Sequence, residues 1–511
     1  MKKMTLKMWL LGGMAAFSML LGGCAQGVDS EPFSPGVTNA QLESPAADSF
    51  QVSITASGGS ETLKVSWPVV MGAGGYYCSA YDVTDEANPI VVFEPQQVDG
   101  SKFQFPISED HRYEYSVKTL GNKQYNNADA AAASSGSYFH GVEAELTIPD
   151  GAELGAFIAA EVAEKAEAWA AARAEDFNFE VAYDLVPGGQ YTLTTPLDLG
   201  LQTVRIRTLS ENRATVTLSG DGHFSPYAGL RLQAMNIDCT DLEKDALIRL
   251  NDNPDASIKD ENLLIMNNPA NGTYKDAGAK RGAYIIEKPI EIRDCWVKEL
   301  KKSLLHCGSQ PYGVTDFRVT NSIVQMNNSG TNIIELQKKN CQVKNMSFYK
   351  TTLFNMVKSG KFFLALPGQN HTNIFGTAGL GGKWEFEQST IVMHKDYDKK
   401  VGDRTRDSKS ESSITNCIFV NMREVTASNN GFMNLKVYRN NTIFHHKMPG
   451  DSKQYDADYL ALGVDPIDPG FDMNMTAIDF SQPNAGVNFT PTGNALADRR
   501  GDPRWLPAEA E

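Results

Sequence analysis

The segment from His394 to Asp407 combines side chains that bind cations with side chains that bind anions or transfer protons. Carboxylates are the ligands that Ca²⁺ prefers, and a Lys or Arg can remove a proton beside a carboxyl group. The candidate catalytic residues are Lys399, Arg404 and Arg406, and the candidate calcium ligands are Asp396, Asp398, Asp403 and Asp407. The alternative interpretation is a solvated loop that neutralises its own charges.

A glycine-rich run at residues 376–384 ends in Lys383 and Trp384. A mobile loop that ends in Trp could present a flat ring to a sugar, so both residues are candidate substrate contacts. The alternative is a turn with a packed Trp. A phosphate loop is excluded because the run lacks the Gly-Lys-Ser/Thr ending.

Three histidines form the remaining candidate contacts. His445 and His446 follow an apolar stretch, and His394 follows an earlier one. Because neighbouring residues of a strand point to opposite faces, only one of the adjacent pair can face outward. A ligand contact is therefore expected from these histidines, but a metal site built from the pair is not.

The apolar stretches themselves repeat along the chain. Asn321-Ser-Ile-Val324, Asn416-Cys-Ile-Phe419 and Asn441-Thr-Ile-Phe444 share one pattern. The central positions of the repeat are Ile237, Trp296, Ile323, Ser347, Ile391, Ile418 and Ile443. Their spacing predicts a solenoid in which each turn stacks on its neighbours. The Asn or Asp residues should mark tight turns, and the Ile and Val residues should stack inside the coil.

Residues of about 150–176 form the one clear helical pattern. Asp150 is the predicted N-cap. The apolar face comprises Leu154, Ile158, Val162 and Trp169. We expect this helix to cover the open end of the stack, which would otherwise expose unpaired strand edges.

Residues 46–145 predict a β-sandwich, because short alternating strands are separated by turns. The strand patterns are Phe50–Thr55, Leu63–Trp67, Tyr76–Tyr81 and Tyr113–Lys118. Their order resembles fibronectin type III modules. The resemblance implies that Trp67 is a buried core residue and that Tyr113 or Tyr115 closes a tyrosine corner.

The N-terminus carries a targeting pattern. Lys2, Lys3 and Lys7 precede an apolar run at residues 8–21, which is too short to span a bilayer. Leu21-Gly-Gly-Cys24 resembles bacterial lipoprotein signals, which implies cleavage before Cys24 and lipid on its thiol. Residues 1–24 would then be the signal and residues 25–45 a flexible tether. This predicts anchoring to the outer membrane, at the cell surface.

Charge and cysteine content limit the partners. The formal net charge is −15, yet residues 280–447 hold 25 Lys and Arg against 14 Asp and Glu. A basic stretch in an acidic chain suggests a polyanion, or simply solvated turns. The six later cysteines lack a Cys-x-x-Cys pair, so we expect small buried hydrophobic residues and no zinc site.

The repeats resemble right-handed parallel β-helices, the fold of pectate lyases and related polysaccharide enzymes, over residues 146–511. Arg500-Gly-Asp-Pro-Arg-Trp-Leu506, in a tail that begins near residue 451, resembles the closing segment of β-helix lipoproteins in saccharolytic bacteria. We expect Trp505 to dock and Arg504 to pair. The sequence signatures of pectate lyases and polygalacturonases are absent, so the resemblance carries no catalytic residue to this chain.

These observations predict an all-β protein: a fibronectin type III-like sandwich, then a β-helix with an N-terminal capping helix. The expected role is an envelope lipoprotein that captures polysaccharide beside proteins of a glycan-uptake system, and the basic stretch makes an anionic polysaccharide one candidate. The first alternative is a lyase acting on an acidic polysaccharide with calcium. The second is a structural or adhesive surface protein. Nucleic acid is not an expected partner, because no nucleic-acid motif is present.

Overall fold

The chain divides into two compact units, Met1–Gly141 and Val142–Glu511. The computed structural model describes residues 37–508 except 58–59, 87, 262–281, 338–340, 367–381, 404–410, 424, 426–434 and 447–464. The signal and most of the tether predicted from sequence therefore lie outside the described residues. Within the described part, no helix is both long and apolar enough to span a bilayer.

The N-terminal unit consists of two antiparallel sheets. The three-stranded sheet contains Gln51–Ser57 (β1), Ser60–Ser66 (β2) and Lys102–Ile107 (β5), and the four-stranded sheet contains Ala73–Asp82 (β3), Ile90–Val98 (β4), His111–Gly121 (β6) and Ser134–His140 (β7). Side chains from both sheets share one apolar core that includes Trp67 and Tyr76. The hydroxyl of Tyr113 accepts a hydrogen bond from the Ser108 N–H over 2.6 Å, which fixes the bend before β6.

The second unit is a coil of parallel strands arranged in three sheets. Sheet 1 contains Ala144–Ile148 (β8), Val181–Leu185 (β9), Val204–Arg207 (β12), Leu230–Gln233 (β15), Ile290–Arg293 (β20), Tyr312–Thr320 (β23), Gln342–Tyr349 (β26), Lys383–Glu387 (β29), Glu411–Thr415 (β32) and Leu435–Arg439 (β34), with Lys259–Asp260 (β18) and Ala283–Ile286 (β19) at its side. Sheet 2 contains Gln190–Leu193 (β10), Thr215–Gly220 (β13), Asn236–Leu242 (β16), Trp296–Leu300 (β21), Ile323–Met326 (β24), Thr352–Asn355 (β27), Thr390–Val392 (β30), Ile418–Val420 (β33) and Thr442–Phe444 (β35). Sheet 3 contains Pro196–Asp198 (β11), His223–Ser225 (β14), Ala246–Arg249 (β17), Ser303–His306 (β22), Ile334–Glu335 (β25), Leu364–Ala365 (β28) and Gly402–Asp403 (β31).

Each turn of the coil visits sheets 1, 2 and 3 in that order. For example, β20, β21 and β22 form one turn, and each pairs in parallel with the equivalent strand of the next turn. The inward side chains of all three sheets form a single apolar core. The predicted stack of turns is therefore present, and it gives the second unit a β-helix-like all-β fold.

The corner between sheets 1 and 2 has a constant form from β15 onward. Two residues connect the strands, and the first of them has a positive φ. These residues are Ala234, Asp294, Asn321, Lys350, Gln388, Asn416 and Asn440. Asn and Asp tolerate this left-handed conformation better than most residues. This explains why Asn or Asp opens several of the repeats.

Side chains at these corners also bond between turns. The Asn440 amide donates to Asn416 Oδ1 over 2.8 Å, and the Asn321 amide donates to the Asp294 carboxylate. The second corner residue faces inward: the Cys417 N–H donates to Asn441 Oδ1 over 2.8 Å. The corner therefore forms a ladder of polar contacts along the stack.

Two details of the predicted repeat are wrong. Ser347 lies on β26 in sheet 1, and the position equivalent to Ile323 in the next turn is Thr352. Ile323 and Ile418 face outward, whereas Ile237, Ile391 and Ile443 lie one position further along their strands, in register with Val324, and face the inner core. The error arises because strands of different sheets share the same alternation of apolar and polar residues.

Helix α1, Leu154–Glu175, lies where the sequence predicts a helix. Leu154, Ile158 and Trp169 are buried in the core of the coil. The N-cap is Glu153, whose carboxylate accepts from the Ala156 N–H over 2.6 Å. Asp150, the predicted cap, instead accepts from the N–H of Gln190 on β10. The helix is thus fastened to the first turn as well as packed on it.

The C-terminal tail covers the outer face of sheet 2. Apolar side chains of the tail, among them Phe489 and Trp505, pack on Ile323, Phe354 and Ile418. The tail contains a short helix, Gly493–Ala497 (α2), and single-turn 3₁₀ helices at Pro483–Gly486 and Pro503–Trp505. Elsewhere in the described residues, further single-turn 3₁₀ helices lie at Ala47–Ser49, Lys123–Tyr125 and Ala256–Ile258. This packing gives sheet 2 a second apolar core.

The closing segment of the tail binds the corner ladder. Arg504 Nη2 donates to the Asn321 carbonyl oxygen over 2.9 Å and to its Oδ1 over 2.7 Å. Arg500 donates to Asn440 Oδ1 over 2.9 Å and pairs with Asp465 over 2.7 Å. The docking of Trp505 and the pairing of Arg504 agree with the expectation from sequence.

All six cysteines in the described residues are buried free thiols: Cys78, Cys239, Cys295, Cys307, Cys341 and Cys417. Burial raises the pKa of the Cys78, Cys295 and Cys417 thiols to about 12. A thiol with such a pKa is protonated at neutral pH and is a poor nucleophile. The interpretation of these cysteines as small hydrophobic residues is confirmed.

Candidate ligand-binding site

The loop that follows β30 is held to the coil by a buried tyrosine. Tyr397 is fully buried, and its hydroxyl donates to the Lys361 carbonyl oxygen over 2.9 Å. Its N–H donates to the His394 carbonyl oxygen over 2.7 Å, which closes a tight turn. Burial raises the pKa of the Tyr397 phenol, so the group remains a hydrogen-bond donor at neutral pH. The first half of the loop is therefore part of the packed structure.

Backbone pairing fixes the next residues of the loop. The Arg423 N–H donates to the Lys399 carbonyl oxygen over 3.0 Å, and the Val401 N–H donates to the Arg423 carbonyl oxygen over 3.1 Å. On the other side, the Leu364 N–H donates to the Val401 carbonyl oxygen over 3.1 Å. The loop thus lies between the turn before it and the turn after it, and Lys399 and Lys400 leave a fixed backbone.

A pocket of about 320 Å³ opens where these turns meet; we call it the basic pocket. It is lined by Phe362, Asp398, Lys399, Lys400 and Arg423. Arg423 Nη1 lies 2.9 Å from Asp398 Oδ1, and the Lys399 ammonium lies 6.0 Å from the centre of the Phe362 ring. Among the side chains that the structure describes at this pocket, three are cationic and one is a carboxylate. This imbalance favours an anionic ligand, because Lys and Arg form charge-assisted hydrogen bonds with carboxylate and sulfate oxygens.

The structure separates the three candidate histidines. His445 is fully buried, and its Nε2 donates to the Tyr397 carbonyl oxygen over 3.1 Å. Burial lowers the pKa of His445, which supports the loop from behind and cannot reach a ligand. His446 is half-buried against Asn421, and His394 Nδ1 accepts from the Asp396 N–H over 3.1 Å. As expected, the adjacent histidines face different ways.

The Lys383–Trp384 pair is also divided. Trp384 is 1% exposed and points into the core, where its indole N–H donates to the Val343 carbonyl oxygen over 3.4 Å. It cannot serve as a sugar platform, because β29 alternates and every second side chain faces inward. Lys383 is exposed on sheet 1 and lines a polar groove of about 420 Å³ with Arg318 and Glu385.

Several predicted residues cannot be placed. Arg404, Arg406 and Asp407 lie outside the described residues, as does the side chain of Asp403, although β31 includes its backbone. Cys24 lies outside them too. Among the side chains that the structure does describe, including Asp396 and Asp398, no group of three or more His, Cys, Asp or Glu residues could hold a metal ion.

Two members of the basic pocket were missed by the sequence analysis. Arg423 follows β33, and Phe362 precedes β28. They lie 61 residues apart in the chain, and only the stacking of turns brings them together with Lys399. No local pattern marks either residue. Only a correct alignment of successive turns would have shown that Arg423 and Phe362 lie beside Lys399.

Comparisons with known proteins leave the function open. Residues 6–188 match a family model described as a domain of unknown function, DUF4992, and residues 189–356 match another, DUF4957. The boundary between the two matches falls inside the coil, between β9 and β10. No curated protein matches the chain.

One solved structure that is similar is described as a PL6 family alginate lyase, AlyGC. The identity is 9%, the TM-score is 0.32, and the match covers 65% of this chain and 42% of the lyase chain. The chain therefore spans less than half the length of that lyase. A likeness at this level carries no weight for activity, and the coil is defined by its own strand pairing.

Proposed function

We propose that this chain is a lipid-anchored bacterial envelope protein that binds an anionic polysaccharide through the basic pocket. The observation that carries the proposal is the convergence of Lys399, Lys400 and Arg423 on one pocket, where Asp398 is the one carboxylate among the side chains that the structure describes. Two long ammonium groups and a guanidinium can pair with the acidic groups of successive sugar residues. The ligand would be a uronate or sulfated polymer.

The coil suits a polymer because its turns repeat at a fixed spacing of about 4.8 Å, the distance between paired strands. The basic pocket draws its side chains from three successive turns: Phe362, the loop of Lys399, and Arg423. A chain lying along the stack would meet each turn in sequence. The loop is anchored by Tyr397, so the cations are partly pre-positioned, which reduces the entropy cost of binding.

We further propose a right-handed parallel β-helix for the second unit and a fibronectin type III-like module for the first. Support for the module comes from its three- and four-stranded antiparallel sheets, the buried Trp67, and the contact of the Tyr113 hydroxyl with Ser108. The module follows the tether in the chain and would act as a spacer from the membrane.

Lipid attachment at Cys24 completes the proposed arrangement, with the mature protein at the surface of the outer membrane. The support is the sequence pattern alone: basic residues, an apolar run and Leu-Gly-Gly-Cys24. The expected result is a mature protein that partitions into the detergent phase, and a Cys24→Ala variant that does not. Partition of the variant into detergent would contradict the assignment.

A polysaccharide lyase is the second candidate. It is favoured by the presence of Lys399 and Arg423, one a possible base and the other a carboxylate-binding group, at one pocket. Cleavage would require one side chain to take the proton beside the uronate carboxyl and a second group to protonate the leaving sugar oxygen. Calcium could neutralise the uronate carboxylate.

The test is an affinity gel with the chain from Ala25, using polygalacturonate, alginate and neutral dextran, with and without calcium. We expect retardation by one or both acidic polymers, weaker retardation at high salt, and none by dextran. Substituting Lys399→Gln together with Arg423→Gln should weaken binding at least tenfold, since a hydrogen bond to a charged group is worth about 1.5–3 kcal/mol.

Lys358→Gln is the matched control, because Lys358 is exposed outside the pocket and carries the same charge. Equal retardation by dextran, or unchanged binding by the double variant, would refute the proposal. Ultraviolet absorbance that rises with time would reveal the unsaturated product of a lyase. Absence of both binding and product across the acidic polymers would favour a structural or adhesive role.

A further inference from the structure

A second cavity, of about 550 Å³, lies where three turns of the coil pass from sheet 3 to sheet 1. It is lined by residues between 173 and 288, none of which belongs to the basic pocket. We call it the aromatic pocket. Its walls come from the segment after α1 and from the three corners, and they include Phe177, Phe179, Tyr227 and Ile285. A concave, mainly apolar cavity of this size with a few polar groups is the usual form of a small-ligand site.

The aromatic ring of Phe177 is exposed yet held in place. Its side chain is 65% exposed, and the Lys288 ammonium lies 3.6 Å from the ring centre. The same ammonium donates to Asn178 Oδ1 over 2.8 Å. Two contacts thus fix Lys288 against the ring, and a cation over the face of an aromatic ring is attracted to it. Because the ammonium lies over one face of the ring, a ligand would stack on the opposite face.

The polar groups that the aromatic pocket presents to a ligand are two hydroxyls and the exposed carboxylate of Glu287. Neither the Tyr227 hydroxyl nor the Thr203 hydroxyl has a hydrogen-bond partner among the residues that the structure describes, and both residues line the cavity. The cations of the wall are occupied, since Arg173 donates to Gln202 Oε1 over 2.7 Å and Lys288 contacts Asn178 and Phe177. Burial raises the pKa of Tyr227 to about 12, so its hydroxyl stays protonated.

The floor of the cavity depends on a close approach between corners. A Cβ on Gly229 would lie 2.6 Å from the Lys288 Cβ and 2.7 Å from the Thr203 Cγ2. Distances this short do not occur between real side-chain carbons, so no larger residue fits. Gly229 therefore allows Thr203, Tyr227 and Lys288 to surround one cavity.

We infer that the aromatic pocket binds a neutral pyranose ring of an oligosaccharide. The C–H face of such a ring would pack on Phe177, and its hydroxyls would bond with Tyr227 and Thr203. An anionic ligand is disfavoured because the exposed Glu287 carboxylate lines the same cavity, and this carboxylate can accept hydrogen bonds from sugar hydroxyls. This site is separate from the basic pocket: it differs in its residues, in its turns of the coil and in the charge of its ligand.

The experiment is isothermal titration calorimetry of the chain from Ala25 with cellotetraose, xylotetraose and maltotetraose as probes. We expect saturable binding of at least one probe, with an affinity that changes less than twofold between low and high salt. Phe177→Ala should weaken that binding at least tenfold, and Tyr227→Phe, which removes only the hydroxyl, should weaken it severalfold. Tyr77→Ala is the matched control, because Tyr77 is an exposed aromatic residue of the other unit.

Phe177 is too exposed for its removal to unfold the coil, and circular dichroism of each variant verifies this. Lack of saturable binding for all three probes, or unchanged binding by Phe177→Ala, would overturn the inference. The double substitution at Lys399 and Arg423 should leave the oligosaccharide affinity unaltered. Failure of the acidic-polymer test with success here would thus reject the basic pocket alone, and the reverse result would reject the aromatic pocket alone.

Discussion

The indole N–H of Trp505 donates to the Thr352 hydroxyl oxygen over 2.7 Å, across 153 residues of the chain. The same hydroxyl donates to Asp502 Oδ2 over 2.8 Å. Thr352 lies on the outer face of β27, beside the apolar side chains of the second core. Without these two hydrogen bonds its hydroxyl would be a buried polar group that lacks a partner. The end of the chain is therefore joined to the middle of the coil by a short hydrogen-bonded chain in a buried setting.

Removing this anchor should destabilise the coil. Trp505 is 5% exposed and packs in the second core, so we expect Trp505→Ala to lower the free energy of unfolding by about 3–5 kcal/mol. Urea denaturation followed by circular dichroism measures the change. Ile467→Ala, at a 55% exposed position of the same tail, should change stability by less than about 0.5 kcal/mol. Equal effects of the two substitutions would contradict this account of the tail.

Gly501, in the closing segment, should be required both for its left-handed backbone conformation and for the lack of space for a side chain. Gly501 has φ +89°, and a Cβ there would lie 2.6 Å from Thr390 Oγ1 and 2.9 Å from Ile418 Cδ1. Gly493 has φ +57° but open space around the added Cβ. We expect Gly493→Ala to cost about 1–2 kcal/mol for the left-handed conformation alone, and Gly501→Ala to cost at least about 1 kcal/mol more for the overlap.

Thermal unfolding of both glycine variants makes this comparison directly. A melting temperature for Gly501→Ala equal to or above that of Gly493→Ala would show that the tail can move away from Thr390. That result would remove the steric half of the explanation and leave only the backbone conformation.

Tyr397 should act on ligand binding through the loop that it anchors. Tyr397→Phe keeps the buried ring but removes the hydrogen bond to the Lys361 carbonyl oxygen, which should cost about 1 kcal/mol of stability. Because Lys399 and Lys400 follow directly in the loop, affinity for the acidic polymer should fall severalfold. The affinity gel and a denaturation curve measure the two effects. Loss of stability without loss of affinity would show that the cations do not depend on the anchor.

Stability of the coil should fall below a pH of about 6.5. Burial lowers the pKa of both His445 and His223 in the folded chain. As the pH falls below the ordinary histidine pKa of about 6.5, these histidines become protonated in the unfolded chain but stay neutral in the folded chain. The unfolded state is therefore favoured. Each such histidine can remove up to about 1.4 kcal/mol per pH unit until its folded pKa is reached. Above a pH of about 6.5 these histidines are neutral in both the folded and the unfolded chain, so their contribution to the pH dependence vanishes.

Urea denaturation at pH 7.5 and at pH 5.5 tests this dependence. His445→Gln can keep a donor for the Tyr397 carbonyl oxygen without a titrating group, so the variant should lose less stability between the two values than the wild-type chain. A variant with the same or a steeper loss would mean that other groups control the acid range.

The sequence predicts the coil and its capping helix because both depend on strong periodic patterns. The helix is recognised from apolar residues such as Ile158 and Trp169, and the coil from recurring strands. Trp384 could have been placed correctly as well, because Lys383-Trp-Glu-Phe-Glu387 alternates and puts the ring on the side opposite Lys383. Its position at the end of a glycine-rich run suggested a loop instead.

Local sequence patterns could not predict the register of the turns or the residues that form the basic pocket. Long insertions change the spacing between turns, so Ser347 was assigned to a position that belongs to Thr352. Arg423 and Phe362 join Lys399 only through that register. The prediction of Asp150 as the helix cap was wrong for a similar reason, since the contact of Asp150 with Gln190 is made in three dimensions.

The constant corner between sheets 1 and 2 has an evolutionary consequence. From β15 onward it always contains two residues, while the other two corners range from short turns to long insertions. Insertions at those corners leave the two-residue corner intact, so the coil can accept a change of loop length there. Both pockets lie at those variable corners. Replacing the loops at these corners would therefore change which ligands the pockets bind, while the stacking of turns at the two-residue corner stays the same.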